Sequence, residues 1–121
     1  MRRLLVVIAL LSATAAAARD TIPVATSEGK PVDCIPLTQI RESRVRDDRT
    51  IDFVMSGRKV YRNTLPYACP SLGSEQRFSY ATSLSQLCSS DIITVLYQTP
   101  DLMRGPSCGL GQFQPATLAG R

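Results

Sequence analysis

Four cysteines behind an export-type leader constrain this chain more than any other feature of its 121 residues. Met1-Arg2-Arg3 is basic, residues 4–11 are an unbroken apolar run, and residues 12–18 are small and end in Ala16-Ala17-Ala18. That layout reads as a secretory signal peptide cleaved near Ala18, with an apolar run too short for a permanent membrane span. A periplasmic or secreted chain meets an oxidising compartment, so Cys34, Cys69, Cys88 and Cys108 are expected to form two disulfides. Three connectivities are open. Cys69–Cys88 with Cys34–Cys108 is preferred, one bridge closing a local excursion and the other tying the domain's start to its end. A zinc site is disfavoured, because the chain has no CxxC pair and no histidine. No metal or cofactor motif is present, and no cysteine stands at the cleavage point to carry a lipid anchor.

Composition narrows the function classes. Losing Arg2 and Arg3 with the signal leaves only two more basic than acidic residues, which argues against a nucleic-acid partner. The absence of histidine removes the usual neutral-pH base, and no later apolar run is long enough to span a membrane. Roughly thirty large apolar residues remain, enough for one small core that depends on cross-links.

The expected organisation is a signal peptide at 1–18, a flexible leader at 19–33 marked by Pro23, Gly29 and Pro31, a disulfide-stapled β-domain at 34–114, and a loose tail at 115–121. Within 42–65, short β-favouring runs alternate with turn clusters at 47–49 and 56–58, the spacing of a meander. Three-residue loops set Val45 opposite Ile51, Arg44 opposite Asp52, Phe53 opposite Tyr61 and Asp52 opposite Arg62. One face is then apolar, with Val45, Ile51, Phe53 and Tyr61, and the other is an Arg44, Asp52, Arg62 ladder. Two-residue loops would oppose Arg44 to Ile51 and Arg62 to Phe53. Residues 76–80 form a further strand, 91–97 a β-branched central strand, and 111–114 a last strand bringing in Phe113; a single helical turn is expected in 81–90 through Leu84 and Leu87. The fold class is all-β and mostly antiparallel, a small barrel or rolled sheet of five or six strands, OB or SH3-like in size.

The stretches Cys34-Ile35, residues 45–53, 61–65, Cys69-Pro70-Ser71-Leu72, 87–93 and Cys108-Gly109-Leu110-Gly111 together resemble a family of small exported Gram-negative bacterial proteins defined only as a domain of unknown function. The resemblance runs from about Cys34 to Phe113 and implies an exported bacterial origin. It implies no activity, cofactor or catalytic residue.

Arg41, Arg44, Arg46, Arg49, Arg58, Lys59 and Arg62 concentrate positive charge, but Glu42, Asp47, Asp48 and Asp52 interleave with them, so solvated cross-strand pairing is the better reading. The possible binding surface is Arg44, Arg46, Arg62, Tyr61 and Asn63, with backbone bonding by Asn63 as the ordinary alternative. Phe78 and Tyr80 have the spacing of a base- or sugar-stacking platform, though core packing outweighs it. Asp52 and Asp91 are the carboxylates for any acid/base work, with a turn role for Asp91 the simpler account. Cys108-Gly109-Leu110-Gly111 lacks the lysine of a phosphate loop. The leading expectation is a non-catalytic binding protein acting on a protein or cell-envelope component. The alternatives are an inhibitor-like module using residues 70–87, stiffened by a Cys69–Cys88 bridge, a small hydrolase using a carboxylate, and an OB-type binder.

Overall fold

The meander anchors the architecture. The computed structural model describes residues 22–82, 84–98 and 103–119, so the expected signal peptide at 1–18 and the leader's first residues, 19–21, lie outside the described residues. The strands are β1 (Ala25–Ser27), β2 (Cys34–Pro36), β3 (Ile40–Val45), β4 (Thr50–Met55), β5 (Val60–Thr64), β6 (Phe78–Tyr80), β7 (Gln86–Cys88), β8 (Ile92–Leu96), β9 (Arg104–Gly109) and β10 (Phe113–Leu118), with one α-helical turn, α1 (Leu72–Glu75), and two 3-10 turns at Leu37–Gln39 and Ser56–Arg58. All pairings are antiparallel, in a five-stranded sheet ordered β1-β10-β5-β4-β3, a three-stranded sheet β6-β8-β9 and the pair β2-β7.

The fold is therefore all-β, as the sequence indicates, but it has ten strands in three sheets among the described residues and no closed barrel. The extra strands are the three-residue β1, β2 and β7, too short to show alternation, and the six-residue β9, whose two glycines and proline read as a loop. The register of the meander is the expected one: Val45 opposes Ile51, Arg44 opposes Asp52, Phe53 opposes Tyr61 and Asp52 opposes Arg62. Gly57 and Arg58 both take positive φ in the second loop, closing it in three residues.

The three sheets share one core. Ile51, Phe53 and Phe113 come from the large sheet, Ile93 and Val95 from the three-stranded one, and Ile35 and Leu87 from the β2-β7 pair. Phe53 sits at their meeting point, edge-on to Phe113 at 5.5 Å and to Phe78 at 6.4 Å between ring centroids.

Four expectations are corrected. The bridges are Cys34–Cys88 and Cys69–Cys108. Cys34 and Cys88 stand directly opposite in the β2-β7 ladder, a pairing that local spacing does not reveal. The helical turn lies at α1, where Leu72 inserts into the core, and Leu87 belongs to a strand. Leader residues 25–27 pair with β10 as β1, and Val32 exchanges both main-chain bonds with Phe113. The tail expected from 115 lies largely within β10, because the leader gives that strand a second partner.

Candidate binding surface

The outer face of the five-stranded sheet, turned away from the core, is built from two adjacent cross-strand rows. One row runs Arg44, Asp52, Arg62, Gln114, and the other runs Glu42, Val54, Val60, Ala116, Ser27. The period-2 alternation of β4 and β5 puts charge in the first row and aliphatic side chains in the second.

In the charged row, Asp52 is fully buried and carries two guanidinium groups. Arg62 Nε donates to Asp52 Oδ1 at 2.7 Å and Arg62 Nη2 to Asp52 Oδ2 at 2.9 Å, while Arg46 Nε donates to Oδ2 at 2.8 Å. Arg62 Nη2 also donates to the Pro23 carbonyl at 2.8 Å, so the chain entering β1 covers the cluster. The expected solvated ladder is thus a desolvated network in its centre: a carboxylate held on both oxygens, with Arg46 Nη2 buried and lacking a partner among the described residues. The hydrogen bond to Asp52 raises the Arg62 pKa above its ordinary value, with burial opposing and the charges of Asp52 and Asp47 assisting. A raised pKa on a cation adds stability below the unfolded-state value, and here that stability is lost only in strong alkali. Arg62 therefore keeps its charge throughout the physiological range. Arg44 faces outward from this row and pairs with Glu42 at 2.7 Å, about half exposed.

The aliphatic row floors a trough of about 420 Å³ lined by Glu42, Arg44, Val54, Arg58, Val60 and the β10 residues from Ala116 to Leu118. Val54, Val60 and Leu118 are half-buried and Ala116 is buried, so the floor is apolar but reachable from solvent. The Glu42–Arg44 pair forms one wall. Sequence reasoning placed Arg44 here and missed the floor. The available signal was the apolar triplet Phe53-Val54-Met55, which gives β4 an apolar residue on both faces.

The structure divides the five residues of the expected binding surface. Arg44, Arg46 and Arg62 gather on the outer face, whereas Tyr61 and Asn63 belong to the inner one. Tyr61 packs against the core beneath Lys59, whose Nζ lies 5.3 Å from the ring centroid. Asn63 is fully buried; its Nδ2 donates to the Gly111 carbonyl at 2.7 Å and its Oδ1 accepts from Gly111 N at 2.8 Å. Asn63 is therefore an internal clamp, unable to serve a partner. Gly111 is required there, since a Cβ would lie 2.2 Å from the Thr64 carbonyl oxygen. Its N–H is already used, which leaves the Cys108-Gly109-Leu110-Gly111 turn no free cradle at that amide.

The remaining candidates are tied up locally. Arg49 donates to the Leu65 and Pro66 carbonyls, and Asp91 Oδ2 accepts from Cys88 N at 2.7 Å, the turn role its position suggests. Phe78 is half-buried against Phe53 and Tyr80 lies at the rim, 6.3 Å from it, so the two do not form an open platform. Residues 70–87 are not a bridge-closed excursion: Cys69 and Cys88 bond elsewhere, Leu72 is core, and Gly73 N is held by Asp48 Oδ1 at 2.7 Å. Among the described residues, no three His, Cys, Asp or Glu side chains cluster to hold a metal, and no helix is long and apolar enough to cross a membrane. Comparison with family models, curated proteins and solved structures finds no match to this chain.

Proposed function

We propose that the chain is an exported, non-catalytic binding domain that docks a protein or cell-envelope component on the outer face of its five-stranded sheet. The observation that carries this reading is the trough floored by Val54, Val60, Ala116 and Leu118 beside a charge network fixed on its scaffold. A surface held in one shape loses little entropy on binding, and an apolar floor with a charged wall suits an extended apolar segment flanked by charge. Both carboxylates considered for acid/base work accept structural hydrogen bonds, which further favours binding over chemistry. The export-type leader, the two disulfides and the resemblance to small exported Gram-negative proteins support a periplasmic or secreted location.

The test is a photo-crosslinking residue introduced at Val60 of the full chain, expressed with its leader in a Gram-negative host. A discrete adduct is expected from Val60, suppressed by Val54→Asp and not reproduced from the exposed control Ser74. Equal adducts from both sites, or none from Val60, overturn the docking face. Free thiols in a cytosolic fraction overturn the location.

A further inference from the structure

We propose that the chain self-associates through β3, two copies pairing their free edges antiparallel about a two-fold axis at Ser43, so that two five-stranded sheets continue as one. This goes beyond the docking face, because it uses the sheet's edge. Among the described residues β3 is terminal in the sheet order, with β4 on one side only, and residues 41–44 are all exposed.

The phase of the ladder determines what this edge offers. Arg46 N donates to the Thr50 carbonyl at 2.8 Å, which marks that pair as hydrogen-bonded. Alternation along an antiparallel ladder then commits the main-chain groups of Arg44 to Asp52 and leaves the N–H and C=O of Ser43 and Val45 pointing to the open side. Such a row of unpaired donors and acceptors is a template for another strand.

Charge selects a second copy as the occupant. With the axis at Ser43, the two Ser43 residues exchange both main-chain bonds, and Glu42 of each copy lies directly across from Arg44 of the other. These crossings fall at non-hydrogen-bonded positions, where facing side chains approach closest and opposite charges attract. Neighbouring registers are penalised: a shift one way sets Glu42 against its own copy, and a shift the other way sets Arg44 against its own while turning Glu42 towards Arg46, whose guanidinium is already committed to Asp52. The register is thus selected by attraction in one alignment and repulsion in both alternatives. In the single chain Glu42 and Arg44 pair with each other while about half exposed, an arrangement readily exchanged for pairing across the axis. An edge guarded by charge of one sign would instead repel its copy. One strand pair is a small interface, so the dimer is weak and concentration-dependent, with a Kd on the order of micromolar or weaker.

Sedimentation of the mature, disulfide-bonded chain over a concentration series tests this. Wild type is expected to show a monomer–dimer equilibrium. Glu42→Arg and Arg44→Glu alone should each weaken it by about tenfold or more, since the axis repeats every repulsion. An equimolar mixture of these two variants should regain association, because each new charge meets its opposite on the other chain; misfolding cannot produce that rescue. Ser43→Pro should abolish dimerisation while leaving the trough lining unchanged, with circular dichroism and thermal melting confirming the fold. A wild type that stays monomeric throughout, single variants that associate as wild type does, or a mixture that fails to associate overturns the proposal.

Discussion

A single buried amide does more for this fold than any surface charge. Asn63 satisfies both main-chain groups of Gly111, 48 residues away in sequence, and so pins the turn entering β10 to the end of β5. Truncating it leaves a part-buried donor and a part-buried acceptor unpaired, each costing about 1–3 kcal/mol. Asn63→Ala is therefore expected to cost about 2–5 kcal/mol. Gly111→Ala attacks the same joint sterically, by pressing a methyl group onto the Thr64 carbonyl. Urea unfolding with the disulfides intact checks both, and an unchanged midpoint for Asn63→Ala would show that the clamp contributes nothing. The residue type allowed this role to be anticipated, because asparagine at a strand end bonds backbone. Its partner was not legible, since only the folded chain brings Gly111 beside β5.

At the scale of elements, legibility follows the length of the pattern. β4 and β5 carry five or six residues each, and pairing like with like across two three-residue loops leaves one consistent register. β1 shows nothing of the kind: it is Ala-Thr-Ser between Pro23 and Gly29, and it forms because β10 presents an otherwise open edge. The same main-chain logic carries the leader onward, with Glu28 N bonding the Pro115 carbonyl and Val32 bridging Phe113. This strap also places the Pro23 carbonyl on Arg62, so the buried charge network depends on it. Deleting residues 22–33 while keeping the signal removes that carbonyl and bares the β10 edge. The expected outcome is a lower melting temperature together with aggregation on warming, read by calorimetry and light scattering. A deletion variant that melts at the wild-type temperature and stays dispersed would show the strap to be dispensable.

Across the whole molecule, one core is shared by three sheets, and the two disulfides reinforce it at different places. Cys34–Cys88 closes the peripheral β2-β7 pair, while Cys69–Cys108 fastens the segment leading to α1 onto β9. Their sequence separations are 54 and 39 residues. Loop-closure entropy grows only logarithmically, so on that ground the two differ by roughly 0.3 kcal/mol, with the longer loop ahead. Burial reverses the order. Cys69 is fully enclosed in the core, whereas Cys34 and Cys88 are half-buried, and replacing Cys69 leaves space that the core does not readily refill. Removing Cys69 and Cys108 together as alanines is therefore expected to destabilise the chain more than removing Cys34 and Cys88, despite the shorter loop. Either loss, at about 2–4 kcal/mol, is large against the total stability of a domain this size. Denaturant midpoints of the two double variants, each with its remaining bridge verified by peptide mapping, decide the order. If the Cys34–Cys88 variant proves the weaker, chain entropy or disruption of the β2-β7 pair outweighs core packing.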